Sequence, residues 1–328
     1  MDNFIFSLNA TVPVFLVMVL GWVLMKTGML TRSFTTVADR FVFKAALPVL
    51  LFQDIATADI RQVFDPAFIA FCMISTTLMF VGVWLFAQWY LRKQPEMIGA
   101  FAQGAARGSA AVLGIAFIEN IYGNSGMAPL MIISAVPLYN IFSVVILTIG
   151  EDMGKISSEN TLPSKGASSM KATLKKACIN IAKNPIILGI LAGCLYNLSG
   201  LPIPQMLLKT VDSVSSLATP LALLVVGASF DMGHALEKFR PALVASFIKL
   251  LVLPAIFFPF AIAFGFRESE LVAILIMLGS PTTVSCYIMA KNMHNDAVLT
   301  SGIIVLATLL SSVTLTFWIF LLRSLALI

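Results

Sequence analysis

The ionisable residues that stand out inside apolar stretches of this chain are Arg40, Lys44, Arg107 and Lys249. A charge at mid-bilayer costs about 2.5–3.5 kcal/mol on insertion scales, so each needs a partner, a cavity or a task. Arg40 and Lys44 lie four apart on one helical face, beside Asp39 and near enough to a segment end to snorkel. Arg107 enters an interruption, Arg107–Gly114, that reads Arg-Gly-Ser-Ala-Ala-Val-Leu-Gly. Its planar guanidinium suits a carboxylate held bidentately, either a substrate anion or a structural partner such as Glu119. Lys249 lies about eight residues into a segment that begins at Pro241, too deep to snorkel. It can neutralise a buried carboxylate, touch substrate, carry a proton, or supply a fixed positive charge.

A second interruption, Gly279–Cys286, reads Gly-Ser-Pro-Thr-Thr-Val-Ser-Cys and splits an apolar run into pieces too short to span separately. In lipid, a broken backbone survives only where protein or a wet cavity satisfies its freed N–H and C=O groups. Ser109, Thr282, Thr283 and Ser285 bring hydroxyls to the two breaks. These either bond neighbouring carbonyls or, with half-helix N-termini, favour an anion. Gly104 and Gly108 form a small-xxx-small pair that lets backbones pass closely. Asn140, alone in an apolar segment, is expected to brace a broken helix or to contact substrate. Glu119, with Asn120, falls toward the end of its segment, as a gate or charge-balancing group or as a solvated helix end.

The elements that must position these residues follow from hydropathy. The chain has 328 residues, 59% hydrophobic and 11% charged, with a mean hydropathy of +0.95 and a net charge of +5. Soluble domains run near a quarter charged, so an all-α polytopic membrane protein is expected. About 20 apolar residues per span give ten segments, near 4–26, 34–56, 66–91, 98–120, 127–149, 178–198, 211–230, 241–264, 270–291 and 297–322. Residues 4–26 read as a retained first span, since no basic region or small-residue cleavage site accompanies them. The polar stretch 150–177 is a linker between halves 1–149 and 178–328. Odd-numbered connections carry 12 Lys and Arg, even-numbered ones 3. The positive-inside rule then places the odd loops and the linker in the cytoplasm and both termini outside.

The halves repeat. Pro13 and Pro185, Gly21 and Gly193, Pro48 and Pro220, and Asn120 and Asn292 are each 172 apart. Five spans per half make the second half enter from the opposite side, so the repeat is inverted. The same offset lays Ser109 on Pro281 and Gly114 on Cys286, making the fourth and ninth spans a pair of crossed, broken helices.

The sequence resembles the auxin efflux carrier family over essentially its whole length. The residues that carry the resemblance are Ala46-Leu47-Pro48-Val49-Leu50-Leu51-Phe52; Leu113-Gly114-Ile115-Ala116 through Ile121-Tyr122-Gly123; Asn140; Lys249-Leu250-Leu251-Val252-Leu253-Pro254; and Ser280-Pro281 through Ala290-Lys291. That family includes plant auxin exporters and bacterial proteins named as malonate or malate carriers. The resemblance implies two five-helix inverted repeats, a scaffold half and a transport half, substrate at the crossing, and a homodimer. The chain departs from plant members, which usually have proline near Ala116 and Cys286 and often asparagine near Ser109, so auxin itself is not carried over.

No metalloprotease pair, serine elbow or P-loop is present, and His234 and His294 lack ligand spacing, so neither an enzyme nor a metal site is expected. Cys72, Cys178, Cys194 and Cys286 have no paired spacing and read as structural thiols. Basic residues fall in short loops, without the stripe that nucleic acid requires. The expectation is a secondary carrier of the cytoplasmic membrane for a small organic anion, with no cofactor and with coupling to H+ or Na+ possible. Substrate contacts are expected from Arg107, Ser109, Gly114, Asn140, Pro281, Thr282, Thr283, Ser285 and Cys286. Lys249 and Glu119 are the coupling or charge-balancing candidates. The rival readings are a cation/proton exchanger, which needs a carboxylate at the break, and a membrane ligand sensor.

Overall fold

The computed structural model describes residues 2–57, 65–110, 117–119, 121–123, 126–158, 179, 182–201, 203–230 and 232–328. Among them, every named element is helical. Pro66–Tyr90, Ala128–Met153, Gln205–Ala228, Phe239–Ala263 and Ala297–Ser324 are each long and apolar enough to cross a bilayer, and Val12–Lys26 and Pro185–Ser199 are shorter apolar helices. The helix that begins at Ala128 runs to Ser158, nine residues into the expected linker; residues 159–178 lie outside the described residues.

Local chemistry sets several boundaries. Asp65 accepts from the N–H groups of Ala67 (2.9 Å) and Phe68 (3.1 Å), and Pro66 follows at the first helical position. Asn184 caps the helix Pro185–Ser199, which Gly200 ends at φ 67°. Asp296 accepts from Leu299 N–H at 2.9 Å and starts Ala297–Ser324.

Two spans contain a single widened turn, Val42–Ala46 and Ile248–Val252, and each runs directly into Leu-Pro. Proline lacks an N–H and clashes with the carbonyl four residues back; opening the ladder by one residue relieves both. At Pro254 that carbonyl belongs to Leu250, and the Trp318 indole donates to it at 2.9 Å.

Helix contacts here depend on close backbone approach rather than on hydrophobic burial. The helix Asp2–Lys26 packs on Ala218–Ala228, and Pro185–Ser199 packs on Leu47–Ala56. A Cβ on Gly21 would lie 2.2 Å from the Leu224 carbonyl oxygen, and one on Gly193 would lie 3.0 Å from that of Phe52. The centre of the molecule is filled by two short helices. All of Ile98–Ala106 is buried, as is Leu271–Gly279 within Glu268–Gly279.

Candidate functional site

The two central helices stop where the sequence turns polar. Ile98–Ala106 ends at Arg107, which is extended (φ −83°, ψ 118°), and Glu268–Gly279 ends at Ser280 (φ −69°, ψ 153°). Pro281 forces the second stop, because a residue before proline is driven out of the helical region. The extended segments then pair with each other. Gly108 and Thr282 form an antiparallel bridge, and Ser109 N–H donates to the Pro281 carbonyl at 2.9 Å. Thr282 Oγ1 donates to Gly104 O at 2.7 Å. Backbone groups that lose helical partners at depth thus find them across the crossing. Gly108 is required by space: a Cβ there would lie 2.3 Å from Ser280 Oγ and 2.9 Å from Lys249 Nζ.

Lys249 sits under this crossing, fully buried. Its ammonium donates to Ala106 O at 3.0 Å and Met277 O at 3.2 Å, one carbonyl from the last turn of each central helix. Both helix ends carry the negative pole of the dipole and unsatisfied carbonyls. One ammonium serves both, and Tyr139 adds a hydroxyl to Met277 O at 2.6 Å. The widened turn Ile248–Val252 includes Lys249 itself. Of the options open in the sequence, the fixed positive charge matches this geometry; the partners are carbonyls, not a carboxylate.

Arg107 is 6% exposed. Its Nη2 donates to Asn140 Oδ1 at 2.8 Å and its Nη1 to the Met289 sulfur at 2.8 Å. Asn140 in turn donates to Val136 O at 2.9 Å, which fixes its amide with the oxygen toward the guanidinium. Among the described residues, its hydrogen-bond acceptors are therefore an amide and a thioether, both neutral, and of the two alternatives the structural carboxylate is not the one seen. The guanidinium stands at the wall of a cavity with neither acceptor offsetting its charge.

That cavity, of about 420 Å³, is lined by Arg107–Ala110 and Thr283–Ser285 from the crossing. Leu47, Leu50, Leu51, Asp54 and Thr57 also line it, with Ala218, Thr219 and Ala222, and with Pro129, Ile132, Val136 and Tyr139. Thr283 and Ser285 hydroxyls lie 3.3 Å apart at the start of the helix Ser285–Asn292, so its N-terminal end meets the cavity. Hydroxyls, a helix N-terminus and a guanidinium in a mostly apolar pocket that also holds the Asp54 carboxylate make a site suited to a small anion.

Of the expected site residues, Arg107, Ser109, Thr283 and Ser285 line this cavity. Asn140 stands behind Arg107 and positions it. Pro281 and Thr282 are spent on the crossing, and Cys286 is buried outside the lining. Gly114 lies outside the described residues. Glu119 is exposed and is not among the residues that line the cavity. Sequence reasoning missed Asp54, the one carboxylate among the described lining residues. Its signal was an acidic residue two positions inside a segment end, beside the residues already singled out in that span.

A polytopic helical membrane protein with an anion-suited cavity at a helix crossing has the character of a transporter. Residues 6–319 match the membrane transport protein family, and the chain belongs to that family, the auxin-efflux-carrier-like one its sequence resembles. It is 23% identical over 317 residues to an uncharacterised transporter of Methanothermobacter thermautotrophicus, covering 96% of this chain and 98% of that protein. It is also 21% identical over 319 residues to the uncharacterised transporter YfdV of Escherichia coli, covering 97% and 98%.

Proposed function

We propose that this chain is a secondary carrier that moves a small organic anion across the cytoplasmic membrane by alternating access, with the crossed central helices moving against a scaffold. The observation that carries the reading is Arg107 at the cavity wall. It is a buried guanidinium whose two hydrogen-bond acceptors are neutral. A mono- or dicarboxylate supplies the missing charge, with Ser109, Thr283 and Ser285 as further donors.

The finer architecture belongs to the same proposal: ten spans in two inverted repeats, a cytoplasmic linker, both termini outside, and a homodimer. Two contacts support the repeat. Gly21 meets Leu224 and Gly193 meets Phe52; each member of the first contact is 172 residues from its counterpart in the second, with the halves exchanged. Ser109 bonds Pro281, its own counterpart at the same offset, as a residue on a pseudo-two-fold axis must. The lining runs from Leu47 toward Thr57, the end of its span that the loop charges place outside. On this reading the cavity faces outward.

The test is uptake into proteoliposomes of malate, malonate, lactate and indole-3-acetate, with and without a pH gradient. Saturable uptake of at least one anion, abolished in Arg107→Ala, is expected. Tight binding of such an anion without flux would replace the carrier by a sensor.

A further inference from the structure

Asp54 is the unexplained feature of the cavity. It sits on the helix Leu47–Ala56 and lines the same space as Arg107. Among the described residues, no hydrogen bond or ion pair holds its carboxylate. Leu47, Leu50 and Leu51 on its own helix offer it nothing polar, and Thr57 and Thr219 add hydroxyls to the same lining as those of Ser109, Thr283 and Ser285. The adjacent Gln53 is engaged elsewhere, with Asp212 at 3.3 Å and with Ser215.

The charged and titratable groups around Asp54 can be named from each packed element. The crossing gives Arg107, and the helix Ala128–Ser158 gives Tyr139, whose hydroxyl is committed to Met277 O. Pro185–Ser199 carries Cys194 and Tyr196, the latter edge-on to Phe52. Gln205–Ser215 carries Lys209 and Asp212, the latter held by Gln53. Lys44, in the widened turn below, is exposed. Arg107 is the one cation among the described residues of the cavity wall.

An ionised Asp54 and a bound anion would share this small, mostly apolar space. Like charges so placed disfavour each other's ionised form, and the linkage is reciprocal. Resting on the carrier reading above, we infer that Asp54 is the group that takes up a proton when the anion binds, so that proton and cargo enter and leave the cavity together. The proton comes from the solution the cavity faces and is held on the Asp54 carboxyl. After the carrier reorients, it is released with the anion to the other side. With a monoanion as cargo, the cavity then carries the same net charge loaded and empty, because the proton on Asp54 cancels the charge of the anion.

The experiment measures binding and flux of whichever of malate, malonate, lactate or indole-3-acetate the wild-type protein takes up. Between about pH 6 and pH 8, wild-type affinity should fall as pH rises, approaching tenfold per unit once Asp54 is ionised. Internal pH dye should report acidification with uptake. In Asp54→Asn the affinity should be flat with pH and the acidification lost; Asp54→Glu, which keeps the carboxyl, should keep both. Wild-type protein alone gives an independent reading: about one proton taken up per anion bound in weakly buffered solution. Uptake with no proton movement, or a pH slope unchanged in Asp54→Asn, overturns the role of Asp54 and leaves the carrier reading standing. Tighter binding of aspartate than of malate at high pH, lost in Asp54→Asn, also overturns it, by making Asp54 an ammonium partner. No uptake of any of the four by wild type overturns both.

Discussion

Asp39 and Lys291 form an ion pair that joins the helix Arg32–Phe41 to the last turn of Ser285–Asn292. The Lys291 ammonium also lies 5.4 Å from the centre of the Tyr287 ring. Asp39 is 15 residues before Asp54 in the same span, about 22 Å at 1.5 Å per residue. The pair therefore ties the two elements together about four helical turns away from the level of Asp54.

Breaking that pair from one side should be worse than removing it. Asp39 is buried, while Lys291 is about one-third exposed. Lys291→Gln leaves a buried carboxylate without its cation, which costs toward the low end of about 3–5 kcal/mol. The double variant Asp39→Asn with Lys291→Gln should recover much of the loss. Thermal melting of purified protein checks this, and additive losses would show that the two residues do not interact.

Asn140 holds Arg107 in its orientation, so Asn140→Ala should weaken anion binding without moving its pH dependence. A hydrogen bond to a charged group is worth about 1.5–3 kcal/mol, or roughly 10- to 150-fold in affinity. Arg107→Lys should not rescue Arg107→Ala, because an ammonium cannot reach Asn140 and Met289 while also facing the cavity. Uptake kinetics of the three variants decide it; equal activity of Arg107→Lys and wild type would reduce Arg107 to a simple point charge.

Lys249 should behave as a structural cation. Lys249→Met keeps the bulk but removes donors from two buried carbonyls, each a charged-group hydrogen bond of about 1.5–3 kcal/mol. The protein should melt well below wild type, whereas Arg107→Ala should melt close to it. If Lys249→Met is as stable as wild type and instead loses only the pH dependence of uptake, coupling belongs to Lys249 and not to Asp54.

These residues also show what the sequence could and could not reveal. The polar ends of the two central helices were legible because glycine and hydroxyl residues gather at both, where they admit a second backbone and bond it, and because Pro281 at the second drives the residue before it out of the helical region. Lys249 was legible as a buried charge, but its partners were not, since backbone carbonyls leave no trace in residue identity. The partners of Arg107 were hidden in the same way: its acceptors, Asn140 and the Met289 sulfur, are 33 and 182 positions away and neither is a carboxylate. Asp54 was hidden by arithmetic, because a residue near a segment end reads as solvated until a neighbouring helix covers it.

The contacts at Gly21 and Gly193 offer a test of the repeat that does not involve the site. If the halves are related by an inverted pseudo-two-fold axis, both glycines play one part, and both alanine variants should destabilise. They should not do so equally, because the fit differs. An added methyl at Gly21 would meet the Leu224 carbonyl at 2.2 Å, a contact that only backbone movement relieves. At Gly193 the nearest atom, the Phe52 carbonyl oxygen, is at 3.0 Å, and a shift of a few tenths of an ångström suffices. Overpacking costs about 1–3 kcal/mol, so Gly21→Ala should sit at the top of that range and Gly193→Ala near the bottom. Melting temperatures in one detergent give the order, and anion affinity should be little changed in Gly193→Ala. A stable Gly21→Ala would mean that the two helices can separate without cost, which the close approach of their backbones does not allow.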